Sequence, residues 1–78
     1  MDPLFEYQLL RMRVERFKYI WSNFPNKNII NQDRVTHIDG LLTSITNLLD
    51  SRDTSMESLM FLTFFLANLK RMFENLYN

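Results

Sequence analysis

The chain contains no cysteine, one histidine, one glycine and two prolines among its 78 residues. Without cysteine it forms neither disulfides nor thiolate metal sites, and one histidine excludes a multi-histidine metal site within one chain. Proteins rich in strands and turns use Gly and Pro at their turns, and this chain has almost none. The scarcity of both residues therefore favours a few long helices.

Charge and hydropathy exclude further classes of protein. Lys plus Arg and Asp plus Glu number nine each, so the formal net charge is zero, whereas proteins that mainly bind phosphate backbones are basic. The longest apolar stretch, residues 59–69, is too short to span a bilayer. The N-terminus lacks the basic region, apolar core and cleavage site of a signal peptide. We therefore expect a soluble, cytoplasmic or otherwise intracellular protein with no membrane span.

The last third of the chain carries the clearest helical pattern. Its apolar residues recur at spacings of three and four, which places them on one stripe of a helix: Leu59, Leu62, Leu66, Leu69, Phe73 and Leu76. Thr54 and Glu57 have the spacing of a capping box, in which each side chain accepts from a free backbone N–H of the first turn. The pattern predicts a helix over residues 54–77.

A second stripe, equally regular, occupies the first third. It consists of Tyr7, Leu10, Val14, Phe17, Trp21 and Phe24. Asp2 and Pro3 suit the N-cap and the first helical position, and Phe24-Pro25 ends the pattern because a residue before proline avoids the helical region. These signals predict a helix over residues 3–24.

The middle segment also has helical spacing, in Val35, Ile38, Leu41, Leu42, Ile45, Leu48 and Leu49. Either Asn28 or Asn31 can cap it, which predicts a helix over about 31–50. Thr36 and Asp39 resemble a second start signal, and Gly40 lies within the pattern. Whether the helix breaks between His37 and Gly40 is therefore not decided by the sequence.

These patterns predict one all-α domain spanning residues 1–78. Three stripes on three helices can close a single core, and short connections make consecutive helices antiparallel neighbours. We therefore expect a three-helix up-down-up bundle with coiled-coil-like heptad stripes.

Apolar residues outside the stripes are surplus to a monomeric three-helix bundle, unless Phe and Met simply fill a generous core in place of the scarce alanine. They are Met60, Phe61, Phe64 and Phe65 on the third helix, and Phe5, Leu9 and Met12 on the first. Aromatic residues and methionine are enriched at the centres of protein interfaces. The sequence thus favours a non-catalytic protein–protein interaction module, such as an adaptor, a chaperone-like partner or an inhibitor. Because most soluble oligomers are symmetric dimers, we expect it to form a homodimer.

The alternative is a small regulator that binds nucleic acid through the basic flank of the first helix, Arg11, Arg13, Arg16 and Lys18. Acidic residues nearby reduce the positive charge of this flank, and a solvated helix surface explains it more simply.

His37 has no nucleophile arranged with it, and we expect it to be solvent-exposed or to cap a helix. No phosphate-binding loop, nucleophile elbow or metal-loop spacing occurs, so we expect neither enzymatic activity nor a cofactor.

Overall fold

The computed structural model describes residues 2–76, which are mostly helical and contain no strand. Helix α1 spans Pro3–Ser22, α2 spans Gln32–Asp50 and α3 spans Met56–Glu74, and a short 3-10 helix, Lys27–Ile29, lies between α1 and α2. Each of the three α-helices packs against the other two. The predicted all-α fold with three helices is therefore confirmed. Two predicted ends are late, because α1 ends at Ser22 instead of Phe24, and α3 ends at Glu74, before the predicted Tyr77, which lies outside the described residues.

The starts of α1 and α2 follow the sequence signals. The Asp2 carboxylate accepts a hydrogen bond of 3.0 Å from the backbone N–H of Leu4, and Pro3 occupies the first turn. Asn31 caps α2, because its side-chain oxygen accepts from the backbone N–H of Asp33 at 2.8 Å. Each cap satisfies an N–H group that the helix itself leaves without a partner.

The predicted N-cap of α3 is wrong by one residue, and the helix itself begins at Met56. The N-cap is Ser55, whose hydroxyl accepts from the backbone N–H of Ser58 at 3.3 Å, so Thr54 lies outside the helix. Just before it, Arg52 has a left-handed φ of 56°, and its N–H donates to the carbonyl of Leu49 at the end of α2. This turn presents Ser55, not Thr54, to the free N–H groups of the new helix.

Asp53 supports the same cap from outside the helix. Its carboxylate accepts 2.7 Å from the Ser58 hydroxyl and 2.9 Å from the backbone N–H of Ser55. These bonds, that from Ser58 foremost, favour the ionised carboxylate and lower the pKa of Asp53 below its ordinary value. Their stabilising effect is therefore present above the ordinary pKa and is lost as pH falls through the lowered one.

Helix α2 continues without a break through His37 and Gly40, which resolves the open question about this segment. Gly40 is exposed, and a Cβ atom there would meet nothing within 4 Å. Asp39 does not start a second helix. Instead its carboxylate accepts a 2.7 Å hydrogen bond from the indole N–H of the buried Trp21 on α1.

The apolar stripes form one core. The side chains with the least exposure come from all three helices: Val14, Ile38, Ile45, Leu62, Leu66 and Leu69. Half-buried aromatic rings extend this core, and the rings of Phe17 on α1 and Phe73 on α3 stack with centroids 5.3 Å apart. The core thus consists mainly of stripe residues, to which the loop residue Ile30 adds a buried side chain that helical periodicity does not predict.

Specific polar contacts fix which helix ends lie together. The Tyr7 hydroxyl, near the start of α1, donates 2.6 Å to the carbonyl of Leu49 at the end of α2. Arg34, near the start of α2, donates to the backbone carbonyl of Asn75, which follows α3. The molecule extends 41 Å along its longest axis and 19 Å along each of the others.

Replacing Leu66 by alanine should destabilise the protein by about 2–5 kcal/mol, since Leu66 is fully buried and the change leaves a cavity. Urea unfolding followed by circular dichroism measures this loss. A loss below about 0.5 kcal/mol, the usual effect of a surface substitution, would show that the stripe is not the core.

The corrected cap makes a separate prediction. Ser55→Ala should cost about 0.5–2 kcal/mol, because it removes the hydroxyl that accepts from Ser58. Thr54→Ala is the matched control and should cost less. Thermal unfolding of both variants tests the assignment, which would be overturned if Thr54→Ala proved the more damaging change.

Candidate interaction surface

The side of α3 that faces away from the core carries large apolar side chains. Met60, Phe61 and Phe64 are 65%, 48% and 62% exposed, respectively. These positions lie opposite the buried Leu62 and Leu66, since α3 packs against α1 and α2 along one stripe and no other α-helix occurs within residues 2–76. Apolar residues clustered in this way commonly mark a contact site.

Phe65 connects this surface to the core. It is half-buried and packs against the core, and its ring lies 6.2 Å from that of Phe61 and 6.1 Å from that of Phe64, between centroids. Aromatic pairs at this separation attract one another beyond the area they bury. Phe65 therefore restricts the two exposed rings, which lowers the entropy that a partner must remove on binding.

A groove of about 560 Å³ runs beside these residues, between the start of α1 and α3. It is lined by Pro3, Glu6, Thr54, Met56, Leu59, Met60, Thr63, Phe64 and Ala67. Of the predicted interface residues, Met60 and Phe64 line this groove. The groove makes the α3 surface concave on one side, a shape that suits an inserted side chain or helix.

Met56 and Ala67, which were not predicted as interface residues, contribute to the same groove. The signal was available, because Met56, Met60 and Ala67 lie on one side of α3 at helical spacing. Pro3 and Glu6 could not be found in this way, since their position depends on how α1 and α3 are aligned.

The predicted α1 residues Phe5, Leu9 and Met12 are all exposed, but they do not line the groove. They form a second apolar patch on the outer side of α1. The structure thus brings the α3 residues together as a cluster and leaves the α1 residues as a separate surface.

The four basic residues of α1 are divided between two of its sides. Arg13 and Arg16 line a pocket with Lys70 of α3, whereas Lys18 lines another with Trp21 and Asp39, and it pairs with Glu15 at 3.7 Å. Arg11 is exposed. The predicted basic flank is therefore not one continuous patch.

His37 is exposed and lines a shallow pocket with Arg34, Ile38, Arg71, Met72 and Asn75. Within residues 2–76, no group of three or more His, Cys, Asp or Glu side chains is arranged to hold a metal ion. None of the helices in this same range combines the length and apolar character needed to cross a membrane.

Comparison of the chain with known protein families, with curated proteins and with solved structures finds no match. The function must therefore be inferred from the chemistry of the surface itself. Its most distinctive feature is the exposed aromatic and methionine cluster on α3.

Proposed function

We propose that this chain is a small non-catalytic helical module that acts by protein–protein contact through the outer face of α3. The observation that carries the proposal is the group formed by Met60, Phe61 and Phe64, which stay largely in water although the core beside them is closed. The ring of the half-buried Phe65 packs beside the rings of Phe61 and Phe64. Leaving such a cluster in water is unfavourable, and covering it would contribute about 25 cal/mol for each Å² of apolar surface buried.

We propose further that the first partner is a second copy of the chain. A symmetric dimer buries the same patch twice, and the zero net charge imposes little electrostatic repulsion on association. The exposed Phe5, Leu9 and Met12 on α1 would extend the contact. The same apolar surface could instead receive a helix of another protein, as expected for an adaptor, a chaperone-like protein or an inhibitor.

We propose that the three helices form a single up-down-up bundle. The bond from Tyr7 to Leu49 supports antiparallel α1 and α2, since it joins the start of one to the end of the other. The stacking of Phe17 on Phe73 supports parallel α1 and α3. In this arrangement the outer side of α3 is free along its whole length, as an interface requires.

The alternative function, nucleic-acid binding through the basic side chains of α1, has less support. Its basic residues are divided between two sides, and Lys18 is partly neutralised by Glu15. Of the two aromatic residues that come next after Lys18, Trp21 is buried and so cannot stack on a base, which leaves the exposed Tyr19 alone.

Replacing both Phe61 and Phe64 by serine should reduce self-association while the helical content is retained. Both side chains are exposed, so their loss should hardly affect the core. Light-scattering mass measured over a range of concentrations should rise toward twice 9.5 kDa for the wild type and stay near 9.5 kDa for the variant.

The matched control is the double variant Tyr19→Ser with Ile29→Ser, which removes two comparably exposed apolar side chains away from α3. It should associate like the wild type. The proposal fails if the control weakens association as much as the α3 variant does, or if the wild type neither associates nor captures a partner through these phenylalanines.

A further inference from the structure

A pocket of about 270 Å³ between α1 and α3 is lined by three cationic side chains. Arg13 and Arg16 come from adjacent turns of α1, and Lys70 comes from α3. Phe17 and Ile20 complete the pocket, and no acidic residue lines it. The stacking of Phe17 on Phe73 holds the two helices together beside it.

These three cations have no carboxylate to neutralise them. Among residues 2–76, the single ion pair within 4 Å is Lys18 with Glu15, on another side of α1. Three positive charges that converge without a counter-charge repel one another, and an anion placed among them relieves that repulsion. Guanidinium groups in particular match the oxygen geometry of phosphate.

The pocket is continuous with an apolar ridge on the outer side of α1. Leu9, Arg13, Arg16 and Ile20 are spaced by four, three and four residues, so they lie on one stripe, and all four are exposed. Phe5 and Met12 are exposed beside them. Glu6 precedes Leu9 by three residues and so continues this stripe toward the start of α1, whereas Glu15 lies off it. From Leu9 to Ile20 the ridge therefore combines apolar and basic side chains, and its acidic end is at Glu6.

We propose that this ridge and pocket bind an anionic phospholipid surface, with lipid phosphates at Arg13, Arg16 and Lys70. The apolar side chains would enter the boundary between headgroups and acyl chains, as in helices that lie in the plane of a membrane. A nucleic acid would satisfy the three cations but leave Phe5, Leu9 and Met12 in water. The convex single-helix ridge also fits a broad surface better than a peptide, which needs a groove.

The pocket does not overlap the α3 cluster, so phosphate binding at Arg13, Arg16 and Lys70 does not depend on self-association through Phe61 and Phe64. Phe5, Leu9 and Met12 are shared, because the same side chains would extend the proposed dimer contact. Because the net charge of the chain is zero, attraction to the membrane depends on this local face. Each basic residue near an anionic surface strengthens binding about fivefold, so the three together should contribute about a hundredfold. The effect should weaken with added salt, because salt screens exposed charges.

The test is flotation of the full chain with vesicles of phosphatidylcholine, with or without about one third phosphatidylserine. The wild type should bind the anionic vesicles and not the neutral ones. The triple variant Arg13→Gln, Arg16→Gln and Lys70→Gln should bind about a hundredfold more weakly while keeping its helical circular dichroism. Replacing Phe61 and Phe64 by serine should leave vesicle binding unchanged.

The control variant Arg11→Gln, Arg52→Gln and Arg71→Gln has the same net charge and should bind within about threefold of the wild type, since these residues lie outside the pocket. Equal losses in the two triple variants would overturn the proposal. Failure to prefer anionic vesicles would overturn it as well. The proposal would also be overturned if the pocket bound inorganic phosphate, or a DNA or RNA oligonucleotide, but did not bind vesicles.

Discussion

The structure depends on one constraint: a helix packed against two neighbours can bury only one stripe of its surface. In α3 that stripe contains Leu62, Leu66 and Leu69, none of which is exposed. The same helix carries Phe61 and Phe64 on its other side, and residues 2–76 contain no fourth α-helix to cover them. The closed core and the exposed aromatic cluster are therefore two results of the same packing.

Polar contacts determine how the three stripes meet. Tyr7 joins α1 to the end of α2 through the Leu49 carbonyl, and the Trp21 indole joins α1 to Asp39 nearer the start of α2. Because both bonds are short and at least partly buried, they oppose sliding of one helix along the other. The same alignment brings Lys70 of α3 to the basic side of α1, and so creates the cationic pocket.

Hydrophobic periodicity predicted the helices and the core because burial selects residues at the helical repeat. It could not choose Ser55 over Thr54 as the cap of α3. Both residues can cap a helix, and the turn that decides between them places Arg52 at a positive φ. A glycine at that position would have indicated such a turn in the sequence, but an arginine does not. The grooves between helices were beyond sequence reasoning, since spacing along one helix does not reveal its alignment with another.

The proposed role of the α3 face is tested most directly by its response to dilution. Backbone amide chemical shifts of the labelled protein should be compared between about 1 mM and about 10 µM, concentrations that bracket a weak dimer. The account predicts that shifts near Phe61 and Phe64 change with concentration, while those of core residues such as Ile38 and Ile45 stay constant. Constant shifts along α3 over this range, with the mass of a single chain, would contradict self-association through this face.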